Sequence, residues 1–502
     1  MKDHTALLNW DGDFAWFFSK NLRDWSDLPA AAAEYMDTYY KDQGIGDILF
    51  DIFCQNSITP SKVFTDRATK YLQKEENGIP VDYTDCTHLS LLYKSYVEHG
   101  FDPAGFFMDH CKKIGIRPWI SIRMNDNHYR DEATGWIRSD FFYDALENGW
   151  MLGEKYRSGY RNWNYALPEV QKKMLAYIEE QLMQYDVYGI ELDFLREPKC
   201  LPYYDDPHCH LAMTEFIAGV RMITHLAREK WGHPLRVAVR LPRDIELCRK
   251  IGYDVKTWAQ KGYIDAVCPA GHWLCNDTDM PIRAWADALH PWGVEVWAGM
   301  EMNLPHNICI SEETAKAHTV QYAAQGSDRT HIYNLYHPYL SYIQDAGIWT
   351  KTPTVEEIQA VWKVAGDVTA CRKGVRRHVV TEDSMGFADI FPRWHPLPAT
   401  IGDGLSLSVA TGPIEKTDKL TLFVGFENTH PEALSVAVNG TVCTDPVPGA
   451  DANLVRHNAT VSPHTIAAYP LNLEQADPIA QIVTVTGDPE GCITYIELKV
   501  ES

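Results

Sequence analysis

Residues 187–198 read V-Y-G-I-E-L-D-F-L-R-E-P, a short apolar strand that carries two carboxylates and is followed by an arginine. Side chains alternate between the faces of a strand, so Glu191 and Asp193 share one face while Ile190, Leu192 and Phe194 share the other. An unpaired buried carboxylate is very costly, so a face with two acids indicates a polar site or a charge-paired interior. We therefore expect the chemistry of the protein at this strand.

Similar apolar segments recur between residues 6 and 336 and alternate with helix-like segments. Strands are predicted at residues 6–10, 47–54, 117–126, 235–242, 266–269, 294–301 and 330–336, in addition to the strand within 187–198. Helices are predicted at residues 28–41, 103–114, 168–185, 211–230, 312–325 and 355–365. Eight strands that alternate with helices are the pattern of a (β/α)8 barrel. A doubly wound sheet alternates in the same way, but no Gly-rich phosphate loop follows any of these strands.

The sequence pattern changes near residue 397, where apolar residues no longer recur with the period of a helix. Short strands are predicted at residues 405–410, 420–427, 434–442, 465–471, 482–486 and 492–500, a density typical of a β-sandwich. The predicted fold class is therefore α/β, with a (β/α)8 TIM barrel at residues 1–390 followed by a C-terminal β-sandwich domain at residues 391–502.

Composition excludes several classes of partner. The formal net charge of -22 argues against nucleic acid and anionic membranes, which both need a basic surface. The 12 Cys show no C-x-x-C pair and no zinc spacing, which indicates reduced thiols of a cytoplasmic protein. No long apolar run occurs, so neither export nor membrane spanning is expected. A homo-oligomer is left open.

The predicted site lies at the carboxyl ends of the barrel strands, where barrel enzymes place their catalytic groups. Asp193 follows strand 4 and Glu301 follows strand 7. Cleavage of a glycosidic bond needs two such carboxylates, one as acid/base and one as nucleophile. We assign the first role to Asp193 and the second to Glu301, and the reverse assignment stays open because the sequence does not reveal which acid lies in the drier environment. The predicted substrate-binding residues are Asp11, Asn56, Arg123, Asn125, Glu191, Arg196, Arg240, His272, Trp273, Asn334 and Tyr336.

Several of these residues have a second interpretation. Glu191 lies one layer deeper than Asp193, where a structural ion pair with Arg123 or Arg240 is favoured over a catalytic role. The same two arginines, together with Arg196, have the geometry to clamp a carboxylate or sulfate of an acidic sugar. Salt bridges inside the barrel are an equally good interpretation of these arginines.

We expect neither a catalytic metal nor another cofactor. Strand 1 has Asn9-Trp10-Asp11 where metal-dependent amidohydrolase-type barrels have H-x-H, and no other spacing is typical of metal ligands. A Ser-His-Asp arrangement has no G-x-S-x-G elbow to support it.

The phrase W-N-Y-A-L-P-E-V at residues 163–170, followed by Y-G-I-E-L-D-F-L-R-E-P, resembles bacterial glycosyl hydrolase-like TIM barrels of the family 10 type, which are related to clan A glycoside hydrolases. Those proteins start a helix with asparagine-proline-glutamate-valine ahead of a G-I-x-L-D strand that is followed by arginine and proline. The resemblance covers strands 3 to 4, implies a carbohydrate-active barrel and carries over to Asp193 and Arg196. In clan A the two catalytic residues are glutamates after strands 4 and 7; Leu192-Asp193 departs from that pattern, and Glu301 matches it.

Together these observations predict a glycoside hydrolase that acts on short oligosaccharides or glycosides, including uronate- or otherwise anion-bearing ones. A retaining two-carboxylate mechanism is expected. The alternatives are a non-catalytic carbohydrate-binding barrel protein and a metal-dependent sugar isomerase or hydrolase.

Overall fold

The computed structural model describes residues 5–11, 14, 17, 24–128, 132–152, 161–202, 206–272, 275–305, 307–336, 351–381, 396–473 and 475–502. All twelve cysteines are free thiols, as predicted, and most of them are buried. Within the described ranges, no helix combines the length and the hydropathy that crossing a membrane requires.

Eight strands form a closed barrel, which confirms the predicted fold. They are β1 (Ala6–Trp10), β2 (Ile45–Asp51), β3 (Arg117–Arg123), β4 (Gly189–Asp193), β5 (Arg236–Pro242), β6 (Ala266–Ala270), β7 (Glu295–Met300) and β8 (Arg329–Tyr333). Their order around the barrel follows the order of the chain, and β8 closes onto β1. Neighbours such as β3 and β4 run parallel, with Arg123 opposite Asp193.

Helices alternate with these strands and begin where the sequence supplies a cap. Helix α4 begins at Pro103, and the side chain of Asp102 accepts a hydrogen bond from the backbone N–H of Gly105. The helices are α1 (Leu28–Tyr39), α2 (Arg67–Tyr71), α3 (Thr87–Tyr93), α4 (Pro103–Lys113), α5 (Asp140–Glu147), α6 (Pro168–Gln184), α7 (Pro207–Trp231), α8 (Ile245–Lys250), α9 (Val255–Gln260), α10 (Ile282–Leu289), α11 (Glu312–Gln325), α12 (Val355–Val364), α13 (Val368–Cys371) and α14 (Asn453–His457).

The chain folds into two compact units. The first comprises Leu7–Pro269 and Asp287–Glu295, and the second comprises Met1–Ala6, Ala270–Ala286 and Val296–Ser502. The first unit therefore contains β2 to β5 in full, and the second contains β8 and the C-terminal strands.

The C-terminal strands form two antiparallel sheets, as predicted for a β-sandwich. They are β9 (Val375–Val379), β10 (Leu405–Ala410), β11 (Lys419–Glu427), β12 (Leu434–Val438), β13 (Ile466–Leu471), β14 (Ala480–Gly487) and β15 (Cys492–Glu501). Apart from strands of two residues, one sheet has the order β9-β15-β11-β13 and the other β10-β14-β12. Side chains of both sheets, such as Leu422, Ile496, Val436 and Val483, share one apolar core.

A strand that lies ahead of the predicted domain boundary at residue 390 pairs with the sandwich. Strand β9 pairs with β15 from Val375 opposite Glu501 to Val379 opposite Glu497. The sandwich therefore begins with β9, because this strand satisfies its backbone hydrogen bonds in the sandwich sheet.

Arg377 of β9 is the centre of a buried ion-pair cluster within the second unit. Its guanidinium donates from Nε to Glu313 of α11 at 2.5 Å and from Nη1 to Glu497 of β15 at 2.5 Å. A third contact, from Nη2 to Asp451, measures 3.1 Å. Because α11 precedes β8 in the chain, this cluster ties the end of the barrel sequence to the sandwich.

Gly189 opens β4 at a position that has no room for a side chain. A β-carbon added there would lie 2.7 Å from the carbonyl oxygen of Arg236 and closer still to the ring of Trp119. Gly189→Ala should lower the free energy of unfolding by about 1–3 kcal/mol, because neither the strand nor the buried ring can move away easily. Urea unfolding measures this, with Gly219→Ala in α7 as the control, since only the flexible side chain of Leu175 lies near that glycine. An unchanged unfolding midpoint for Gly189→Ala would contradict this packing.

Candidate active site

Arg123, at the carboxyl end of β3, contacts three aspartates from three different segments. The distances are 2.7 Å from Nη2 to Asp11, 2.9 Å from Nε to Asp51 and 3.3 Å from Nη1 to Asp126. Asp11 follows β1, Asp51 ends β2 and Asp126 follows β3, so adjacent strand ends converge on one cation. The arginine is buried, and the acids supply the negative charge that a buried guanidinium needs.

The environments of Asp51 and Asp126 push their protonation in opposite directions. Burial raises the pKa of Asp51 well above its ordinary value, against the lowering effect of Arg123. Burial also raises the pKa of Asp126, but the charges of His128, Arg196 and Arg123 outweigh it and hold that pKa well below its usual range. Of these two carboxyls, Asp51 therefore retains its proton to higher pH than Asp126.

Asp193, predicted as catalytic, ends β4 and is held by Arg240 of β5. Nη1 of Arg240 donates to both carboxylate oxygens, at 3.1 Å to Oδ1 and 3.2 Å to Oδ2. Oδ1 also accepts the backbone N–H groups of Leu195 at 2.9 Å and Arg196 at 3.2 Å. Donors of this kind bond to the charged form of a carboxylate. In the described part of the chain, Oδ2 accepts from Arg240 alone and so retains capacity for a further partner.

Glu191 lies deeper in the barrel than Asp193 and is fully buried. Its Oε1 accepts hydrogen bonds from Ser121 at 2.8 Å and from Asn9 at 3.2 Å. Both donors are neutral, whereas the sequence favours an ion pair of Glu191 with Arg123 or Arg240, and these arginines pair with aspartates.

The three predicted arginines all make contacts inside the protein. Arg123 and Arg240 pair with aspartates, and Arg196 lies with Nε 3.7 Å from Asp126 and Nη2 3.4 Å from Nε2 of His128. Of the two interpretations that the sequence leaves open, these contacts match salt bridging within the barrel.

Two predicted amides are used in loop contacts. Asn56 donates to the carbonyl oxygen of Trp136 at 2.9 Å, and Asn125 accepts from the backbone N–H of Trp163 at 2.8 Å. Both side chains are buried, so each connects its own loop to a loop further along the chain. A substrate contact for either residue stays a prediction.

The remaining predicted residues belong to the second unit. Glu301 directly follows β7 and is buried, and its backbone N–H donates to the side chain of Asn276 at 3.3 Å. Asn334 is buried after β8 in a left-handed conformation with φ 58°. Tyr336 is buried and His272 is half-buried, whereas Trp273 lies outside the described residues.

Sequence reasoning missed Asp51, Asp126 and His128. Strand periodicity could have identified Asp51 as a site residue, since Asp51 shares a face with Asp47 and Leu49 and ends β2. The predicted strand at residues 117–126 includes Asp126, but β3 ends at Arg123, so strand periodicity holds for neither Asp126 nor His128. The D-x-H spacing was their only signal, and it is short enough to occur by chance.

Asp11, Asp51 and Cys54 lie close enough together to share a cation, since one ligand atom from each falls within 4.8 Å of the others. Arg123 already contacts all three, with Nη1 donating to Cys54 Sγ at 3.4 Å. Burial also raises the pKa values of the Cys54 thiol and of Asp51, whereas a metal needs deprotonated ligands. These residues therefore fit the guanidinium better than a metal ion.

No family model matches the chain, and no curated protein matches it. Solved structures match at low identity. An alpha-L-fucosidase isoenzyme 2 from Paenibacillus thiaminolyticus is 14% identical, with 74% of this chain and 50% of that chain covered and a TM-score of 0.43. A glycoside hydrolase domain from Bordetella bronchiseptica is 10% identical, with 72% and 98% covered and a TM-score of 0.38. A GH36 alpha-galactosidase from Geobacillus stearothermophilus is 12% identical, with 97% and 56% covered and a TM-score of 0.34.

The chain spans about half the length of that fucosidase. At these identities and TM-scores, the likeness carries no conclusion about the activity of this chain.

The variant Asp51→Asn tests the raised pKa of Asp51 in the Arg123 cluster, which consists of Arg123, Asp11, Asp51 and Asp126. A carboxyl with a raised pKa in the folded state binds its proton more tightly when folded, so its contribution to stability falls as the pH rises above the unfolded value. We expect Asp51→Asn to gain stability relative to the wild type between about pH 5 and about pH 8, measured by urea unfolding at each pH.

The control for this experiment is Asp82→Asn. Hydrogen bonds from Thr84 lower the pKa of this exposed aspartate, so it is ionised throughout that pH range. The difference in the free energy of unfolding between Asp82→Asn and the wild type should therefore not change with pH. If the stability difference between Asp51→Asn and the wild type is also independent of pH, Asp51 is ionised in the folded protein.

Proposed function

We propose that this protein is a glycoside hydrolase whose reaction centre includes Asp193. The observation that supports the proposal is the state of that side chain. A carboxylate at the carboxyl end of a barrel strand is bonded through Arg240 and two backbone N–H groups, while its Oδ2 retains capacity for a further partner. A buried anion held in this way is suited to meeting positive charge that develops at the anomeric carbon of a sugar.

The contacts of Asp193 favour the reverse of the roles first assigned to the two acids. A proton donor acts through its own O–H, whereas Arg240 and two backbone N–H groups already donate to the oxygens of Asp193. We therefore propose that Asp193 attacks the anomeric carbon, which gives a retaining reaction. The leaving oxygen then needs a proton from another residue, and Glu301 after β7 is the candidate that the sequence predicts.

The proposed substrates are short oligosaccharides or glycosides. Because Arg123 and Arg240 both pair with aspartates of the protein, a neutral sugar is better supported than an anion-bearing one. The twelve free thiols support work in a reducing compartment such as the cytoplasm.

Turnover of aryl glycosides tests the proposal directly. A panel of neutral and uronic acid glycosides should include substrates that the wild type hydrolyses, and Asp193→Asn should lower kcat by roughly a thousandfold or more. For Asp193→Ala, added azide should restore turnover and give a glycosyl azide of inverted configuration, because the small anion replaces the missing carboxylate.

Asp47→Asn is the matched control. Asp47 is also a buried barrel aspartate paired with an arginine, since Arg117 Nη2 lies 2.6 Å from its Oδ2, but it lies towards the amino end of β2. This variant should lose stability and keep the kcat of the folded enzyme. Binding of sugars without turnover by the wild type would favour a carbohydrate-binding protein, and activity lost to chelators would favour a metal-dependent enzyme.

A further inference from the structure

An aspartate–histidine pair lies at the carboxyl end of β3, beside the Arg123 cluster. Asp126 is buried, and its Oδ1 lies 2.5 Å from Nδ1 of His128 and accepts the backbone N–H of the same histidine at 2.9 Å. The imidazole itself is 43% exposed. A buried carboxylate thus fixes one edge of the ring, while the rest of the ring remains accessible.

The contacts of the ring define which nitrogen exchanges protons. Nη2 of Arg196 lies 3.4 Å from Nε2 of His128, and a guanidinium nitrogen can only donate. The neutral ring therefore carries its proton on Nδ1, bonded to Asp126, and Nε2 is the basic nitrogen. For Nε2 to carry a proton, the Arg196 guanidinium must move away from it, and Asp126 then holds the ring through Nδ1.

Arg196 joins this pair to Asp193. The backbone N–H of Arg196 donates to Asp193 Oδ1, while its side chain reaches both His128 and Asp126. Arg123 makes a second link, since it contacts Asp126 and lies opposite Asp193 in the register of β3 and β4. Arg196 therefore contacts both the histidine and the proposed attacking carboxylate, and Arg123 contacts the aspartate that holds the histidine.

We infer that His128 is the residue that transfers the proton during glycoside cleavage, and that Asp126 positions it. This inference rests on the proposed function. In it, His128 replaces Glu301 as the proton donor.

The reaction balances without a further reagent. In the first step Asp193 bonds to the anomeric carbon, the glycosidic C–O bond breaks, and the leaving oxygen takes the proton from Nε2 of the imidazolium. In the second step water bonds to the anomeric carbon, the bond to Asp193 breaks, and a proton of water returns to Nε2. The sum is the addition of one water molecule across the glycosidic bond.

The test is the pH dependence of kcat/KM for His128→Gln on a substrate that the wild type hydrolyses. The alkaline limb of the wild-type profile should disappear, because it reports loss of the proton from the donor. Activity on phenyl glycosides should fall by about 10²- to 10⁴-fold, and much less on dinitrophenyl glycosides, whose leaving group needs little protonation.

His233→Gln is the matched control. Nε2 of His233 lies 2.6 Å from Asp186, and the side chain is 38% exposed, but this pair precedes β5 and so lies towards the amino end of that strand. The variant should keep both the alkaline limb and the response to leaving groups.

Asp126→Asn separates positioning from proton transfer. The ring remains in this variant, but the imidazolium loses the negative charge beside Nδ1, so the alkaline limb should move to lower pH instead of disappearing. An unmoved limb in both Asp126→Asn and His128→Gln would overturn the inference.

Glu301→Gln distinguishes the inference from the proposed function. If this variant loses the alkaline limb while His128→Gln keeps it, the proton comes from Glu301, and the hydrolase proposal stands without His128. If the wild type hydrolyses no glycoside on the panel, the proposed function fails and the inference fails with it.

Discussion

Two arginines, Arg123 and Arg240, supply the positive charge that allows acids to lie buried at the carboxyl ends of neighbouring barrel strands. Arg123 contacts Asp11, Asp51 and Asp126, and Arg240 contacts Asp193. Taking either cation away would leave charged carboxylates without compensation in a low-dielectric interior, a much larger cost than the loss of one surface ion pair. The pKa of Asp51 and the positions of Asp126 and Asp193 all depend on this arrangement.

The barrel could be predicted from the sequence because the pattern of an apolar strand followed by a helix is local and is repeated eight times. Eight apolar segments separated by helices restrict the topology to very few solutions, and every predicted strand is found. Strand β9 was not predicted, because its sequence V-R-R-H-V resembles an isolated polar segment. Its partner β15 lies more than a hundred residues further on, and only the pairing of Val375 with Glu501 identifies it as part of that sheet.

The sequence predicts which strand face the site residues occupy, but it does not predict which residues form ion pairs. Strand alternation correctly placed Glu191 and Asp193 on one side, yet it cannot tell which cation each acid meets. That choice depends on the register between strands, which sets Arg123 and Arg240 on either side of Asp193. Asp126 and His128 were beyond such reasoning altogether, because loop residues are arranged by tertiary contacts such as the one between Arg196 and His128.

The contacts of Arg377 bear on whether the two parts of the sequence can be separated. This arginine of β9 bonds to Glu313 of α11 as well as to Glu497 and Asp451 of the sandwich region. A gene fragment that stops before β9 would leave Glu313 without this guanidinium, and a fragment that starts there would leave Arg377 without that acid. Separating the chain before β9 therefore removes the same ion pair from both fragments, so neither fragment is expected to reach the stability that it has in the intact protein.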